Sequence, residues 1–110
     1  MKRNDSKQTL VRVYTLEGKC HLDSVLEKLF ANKKITGLTV FRGIAGFGPH
    51  HHMHKASMMD LSNKLPLVIE FFHQPEGLGE IINEIHRLIE KAHIVHWSVD
   101  LSFEEVLDDD

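Results

Sequence analysis

Four histidines crowd into six residues of the run PHHHMH: His50, His51, His52 and His54. In an extended segment His50, His52 and His54 project to one side, and imidazoles two residues apart can share one zinc, copper or nickel ion. Three-fold symmetry would offer another route, with one histidine from each subunit meeting on an axis. Their ordinary pKa near ~6.5 also makes the loop cationic on mild acidification. Just upstream, Arg42 precedes Gly43, Gly46 and Gly48. Glycines let backbone approach a ligand phosphate, and a guanidinium adds a bidentate, charge-assisted contact. The alternative is that these glycines only permit a bulge and a turn, while Arg42 pairs with a carboxylate such as Glu70. The spacing matches neither a dinucleotide fingerprint nor a P-loop, and no GxSxG, HExxH or paired-carboxylate pattern occurs. A non-enzymatic protein is expected.

The remaining reactive side chains read more plainly. His93 and His96 flank the start of a strand, and His86 shares a helix with Glu90, so structural or surface roles are expected for all three histidines. Cys20 stands beside His21, but adjacent residues rarely face each other, and no third group orients them as a nucleophilic pair.

These residues need a scaffold, and 110 residues supply one domain, 1–110, with an ordered core over about 9–103 and short polar ends. Such a chain buries roughly 65% of its unfolded surface. The composition, 42% hydrophobic and 26% charged with net charge −3, is that of an ordinary globular protein. Lys and Arg are dispersed among acidic residues except at Lys33 and Lys34, so nucleic-acid binding is not expected. A single cysteine excludes a disulfide within one chain. The start, MKRNDSKQ, has no apolar stretch of signal-peptide length behind it, and no segment approaches the ~18 apolar residues of a membrane helix. A cytoplasmic protein is expected.

Residues 9–17 (TLVRVYTLE) read as a strand ending at Gly18. From Leu22 the apolar positions Leu22, Val25, Leu26, Leu29 and Phe30 recur at helical spacing, with Ser24 and Glu27 spaced as a capping box and Gly37 as the stop. Residues 38–45 form a second strand leading into the histidine loop, and 65–73 a third with Pro66 at its start. Pro75 opens a second helix with the face Leu78, Ile81, Ile82, Ile85, Leu88 and Ile89. Residues 94–101 alternate, with Val95, Trp97, Val99 and Leu101 on one face. The order predicts an α+β fold, a ferredoxin-like βαββαβ plait whose helices cover one face of a four-stranded antiparallel sheet. Strands two and three are nevertheless apolar on both sides: Leu38, Val40 and Ile44 against Phe41, and Leu67, Ile69 and Phe71 against Val68 and Phe72. A face open to water would alternate with polar residues, so further copies of the chain are expected to bury it.

These segments resemble a known family. ITGLTVFRGIAGFG, the histidine loop and LSNKLPLVIEF are similar to the GATVLRGIxGYG, IHTA and LSxDLPVVIE patterns of the prokaryotic family called domain of unknown function 190. The matches are Gly37–Gly48, Met53 to Ala56 with His54 as the family's loop histidine, and Leu61–Glu70. That family in turn resembles the PII signal-transduction proteins, trimers in which a GFG element leads into a loop that contacts regulated targets. Gly46, Phe47 and Gly48 match that element. The resemblance implies a PII-like homotrimer with a small effector, an adenine nucleotide being the leading candidate, at the subunit interface near Arg42, Gly43, Gly46, Phe47, Gly48 and His54. It further implies a target protein contacted through residues 48–57, such as a membrane transporter or channel, since family members occur fused to or beside fluoride-exporter-like proteins. Residues 90–97, EKAHIVHW, lack the glycine- and lysine-containing loop that PII proteins place there. The alternative is a zinc- or copper-binding trimer resembling the cation-tolerance proteins of the same fold, using His50, His52 and His54.

Overall fold

The computed structural model of the chain describes residues 2–58 and 64–104; Leu61, Ser62 and the acidic tail Asp108 to Asp110 lie outside the described residues. In chain order the elements are β1 (Arg3–Leu16), α1 (Leu22–Ala31), β2 (Ile35–Arg42), β3 (Ala45–Gly46), β4 (His54–Lys55), β5 (Pro66–His73), α2 (Leu78–Leu88) and β6 (His93–Glu104). The long strands pair antiparallel in the order β2-β5-β1-β6, and β3 pairs with β4 in a separate ribbon. Each helix connects strands separated by one other, which is the expected ferredoxin-like plait.

The alternation of β5 shows how the two layers are built. Leu67, Ile69, Phe71 and His73 are buried, while Pro66, Val68, Glu70 and Phe72 between them are half-buried. The buried set meets Val11 and Val13 of β1, Val25 and Leu29 of α1, and Ile81, Ile85 and Ile89 from the second helical run in one apolar core. Cys20 belongs to this core, and burial pushes its thiol pKa up, the opposite of what a reactive thiolate requires. The predicted face of α2 is the observed one, with Leu78, Ile82 and Leu88 packed at its margins.

Among the described residues no layer covers the other face. Registers place Phe41, Val68, Phe72, Leu10, Tyr14, Val95, Trp97 and Phe103 on it. Phe41, Tyr14, Val95, Trp97 and Phe103 are each 40% to 49% exposed. Near its middle, Arg12 Nε donates to Glu70 Oε2 at 2.6 Å, and the guanidinium stands 5.9 Å from the centre of the Trp97 ring. Hydrogen bonding to Tyr14 and then to Glu70 holds the Arg12 pKa above its ordinary value.

Element ends differ from expectation for local reasons. β1 starts at Arg3 rather than residue 9, because Arg3 to Gln8 pair with Glu104 to Val99 as a ribbon beyond the reach of β5. That stretch is polar, so it carries no apolar period. Helix α1 stops at Asn32 rather than Gly37: the Asn32 N–H donates to the Leu29 carbonyl at 3.1 Å, and its Oδ1 accepts the Lys34 N–H at 2.9 Å. Gly37 instead lies inside β2 next to a bulge, opposite Phe72. The Ser24–Glu27 spacing falls inside α1, whose N-cap is His21 with no side-chain cap bond. Pro75 precedes α2 rather than opening its first turn, and Gly77 is the N-cap with φ of 80°. A Cβ there would lie 2.6 Å from Lys34 Nζ, the mobile end of a side chain that can swing aside, so it is the left-handed backbone that favours glycine.

Phe71 is fully buried at the centre of the core. Phe71→Ala is expected to lower unfolding stability by about 3–5 kcal/mol, read from urea titration of the purified variant; a loss under ~1 kcal/mol would contradict this packing.

Candidate functional site

The loop between β2 and β5 leaves the sheet at Arg42 and returns at Leu65, and both roots meet at Glu17, just after β1. Arg42 Nε and Nη2 donate to Glu17 Oε2 and Oε1 at 3.0 and 3.1 Å. The Leu65 N–H donates to the same Oε1 at 2.9 Å, and the Glu17 N–H donates to the Leu65 carbonyl at 3.1 Å. The sequence offered Glu70 as the carboxylate for Arg42. Glu70 is on the uncovered face of the sheet, engaged by Arg12. The Leu65 N–H, and after it Arg42 and the nearby Lys64, hold the Glu17 pKa below the usual carboxylate range against the opposing effect of burial.

The glycines beyond Arg42 divide into two kinds. The Gly43 N–H donates to the Pro66 carbonyl at 2.8 Å, and a Cβ on Gly43 or Gly46 would stand 3.3 or 3.1 Å from the Pro66 ring. These two allow the loop to lie against the proline that starts β5. Among the described residues Gly48 has no atom within 4 Å of where a Cβ would be, so from them its backbone is open to approach.

Beyond them β3 and β4 form a short ribbon, with Ala45 opposite Lys55 and Gly46 opposite His54, closed by the Ala56 N–H on the Ile44 carbonyl at 2.7 Å. The histidine run is not extended. The His51 N–H donates to the Gly48 carbonyl at 2.9 Å, and His51 has φ of 55°, so residues 48–51 turn. The turn takes His50 out of the alternation that was to align it with His52 and His54. His51 stacks on Phe47 with ring centres 5.2 Å apart, whereas His52 and His54 approach to 5.1 Å. Among the described residues no three His, Cys, Asp or Glu side chains are grouped to hold a metal within one chain. His54 is half-buried, and its Nδ1 has no hydrogen-bond partner. Ile44, Phe47 and Met53 present apolar side chains to solvent on this ribbon.

The structure therefore brings Arg42, Gly43, Gly46 and His54 to the loop root and ribbon, and leaves His50 exposed at the turn. Glu17 was missed, because it is 25 residues from Arg42 and 48 from Leu65, with no spacing rule to join them. The best-formed concavities lie elsewhere. One of about 490 Å³ runs between α1 and β2 past Phe30 and Gly37, and one of about 500 Å³ lies by Lys19, His21, His86 and Arg87. Neither of these two is lined by residues from Arg42 to Gly48.

Among the described residues no helix is long and apolar enough to cross a membrane. In overall fold the chain is similar to CPII, a nitrogen regulatory PII-like protein from Thiomonas intermedia K12, in a structure bound to ADP, AMP and bicarbonate. The TM-score is 0.63, with 18% identity over 91% of each chain. A second CPII structure, bound to ADP and bicarbonate, gives 0.59 with 14% identity and 91% of each chain covered. In sequence the chain is 32% identical over 84 residues to a UPF0166 protein of Aquifex aeolicus (strain VF5), covering 72% of this chain and 79% of that one. The family profile described as "Uncharacterized ACR, COG1993" matches residues 8–101. With both helices, the loop, the Leu-Pro start of β5 and all but the outer ends of β1 and β6 inside that match, the chain belongs to the domain of unknown function 190 family, within the PII-like fold.

Proposed function

We propose that this protein is a non-enzymatic PII-like regulator: a homotrimer that binds an adenine nucleotide between subunits at the root from Arg42 to Gly48 and contacts a target protein through residues 48–57. The observation that carries the reading is the loop root itself, where a guanidinium and an unobstructed glycine backbone stand at the foot of a ribbon bearing exposed Ile44, Phe47 and Met53. The first two suit a phosphate, and the apolar ribbon suits a protein surface. The fold likeness to CPII, whose structures hold ADP and AMP, supports the nucleotide class. A second subunit would supply a further wall of the site.

The assembly reading rests on the sheet face opposite the helices, where Tyr14, Phe41, Val95, Trp97 and Phe103 are each 40% to 49% exposed, since clustered exposed apolar side chains mark interaction surfaces. A bound effector would act by favouring one loop state over another, and only to the extent that its affinities for the two differ. A membrane transporter or channel remains the proposed kind of target.

A second reading, a zinc or copper site, is favoured by the close approach of His52 to His54. Two imidazoles fall short of a tetrahedral set, so this site would need donors from neighbouring copies.

Three measurements test these readings. Native mass spectra of the untagged protein should show a trimer that takes up about one ADP or AMP per subunit, as closed cyclic symmetry requires. Trp97→Glu should shift that trimer to monomer by placing charge on the uncovered face; a wild-type monomer overturns the assembly. Arg42→Gln should weaken ADP binding by about tenfold or more through loss of a charge-assisted phosphate contact, and unchanged affinity would count against the site. Calorimetry with zinc should show binding that vanishes in a His52→Ala/His54→Ala double variant; silence with the wild-type protein removes the metal reading.

A further inference from the structure

Glu17 ties together three segments that are distant in sequence. Its carboxylate holds Arg42 where the loop leaves β2 and the Leu65 N–H where the loop returns, at 3.0, 3.1 and 2.9 Å. The carboxylate is thus the side-chain fastening of the loop's neck, beside two backbone bonds, from the Gly43 N–H to the Pro66 carbonyl at 2.8 Å and from the Glu17 N–H to the Leu65 carbonyl at 3.1 Å. The geometry also resembles that of a bound anion. A two-oxygen acceptor meets a guanidinium edge-on and a backbone N–H, with Lys64 close enough to favour its charge. These are the partners that a phosphate at Arg42 would seek.

We propose that the Glu17 carboxylate is the built-in occupant of the anion position at Arg42, so that a phosphate-bearing ligand binds by displacing it and thereby releases the side-chain link across the neck of the loop. This deepens the reading of Arg42 as an anion-binding residue and rests on it. Glu17 here is a positioning residue rather than a ligand contact. With the clasp closed, Arg42 is aligned with the carboxylate and the two loop roots are held at a fixed separation. With a phosphate on Arg42, like charge expels Glu17, and the side-chain link between the two roots opens while the backbone bond from Gly43 to Pro66 remains. The clasp side chains are 26% and 55% exposed, so the pair is accessible to a competing anion and is screened enough to open. The closed state lowers the apparent affinity for ligand by the fraction of molecules in which Arg42 is free.

The test is a double-mutant cycle on the full chain, with ADP, AMP and inorganic phosphate as probes in calorimetry. Glu17→Gln keeps an acceptor for the Leu65 N–H but loses the charge; Glu17→Ala removes both, and thermal unfolding verifies that each variant folds. Both are expected to bind ADP about 3- to 10-fold more tightly than wild type, the gain from freeing Arg42. That gain should disappear in the Arg42→Gln background, because a general electrostatic effect would survive there whereas a clasp cannot. Binding by Glu17→Gln where the wild type binds nothing would support the clasp further. Unchanged or weaker binding in the Glu17 variants, or a gain that persists without Arg42, overturns the clasp while leaving nucleotide binding intact. If neither wild type nor variants bind any of the three probes, the clasp falls together with the nucleotide reading.

Discussion

Because β5 lies between β2 and β1, its side chains must satisfy two environments at alternate positions, and the rest of the molecule follows from how they do so. Leu67, Ile69 and Phe71 commit one face to the helices. A slip of one residue would exchange them for Pro66, Val68, Glu70 and Phe72 and place the carboxylate in the core, at a cost no neighbour there could offset. The same register fixes the height of Pro66 against Arg42 and Leu16, and thereby where the loop leaves and re-enters. The position of Glu17 beside both loop roots is a consequence of the strand pairing in the core.

The apolar alternation made the plait readable. The helix faces and the four strands are short-range periodic signals that the structure reproduces, except that Phe30 of α1 points to solvent and the second strand runs over Ile35–Arg42 rather than 38–45, leaving Ile44 exposed in the loop. The ends of elements were less legible. Asn32 ends α1 through its own side chain, and Gly77 starts α2 through a left-handed backbone. Both depend on local geometry that a single pass along the chain does not reveal. The ribbon of Arg3 to Gln8 escaped notice because hydrogen bonding alone, without burial, leaves no hydrophobic period.

The candidate site was legible in its residue types but not in its arrangement. Arg42 and the glycines are near in sequence and remain near in space, so a local reading found them. Its carboxylate partner could not be chosen from sequence: Glu70 and Glu17 are both distant, and only the register separates a residue on the sheet face from one at the sheet end. The histidine run shows the converse error. A period of two was assumed, and the turn from Gly48 to His51 removed it.

The ladder between β1 and β6 changes character along its length. At Thr9 to Tyr14, β1 has a partner on each side; at Arg3 to Gln8 it has only β6. A two-stranded ribbon with no layer beneath it is marginal in water. Opening free energy must therefore fall steadily outward along the same two strands, so the segment just after residue 2 and the segment just before residue 105 fray as one cooperative unit while the plait stays closed. The molecule measures 48 Å along its longest axis against 23 Å along its shortest. Amide exchange would divide it into a slow body and a fast tip, and whatever comes to rest on Val99, Leu101 and Phe103 would set how far the slow body extends.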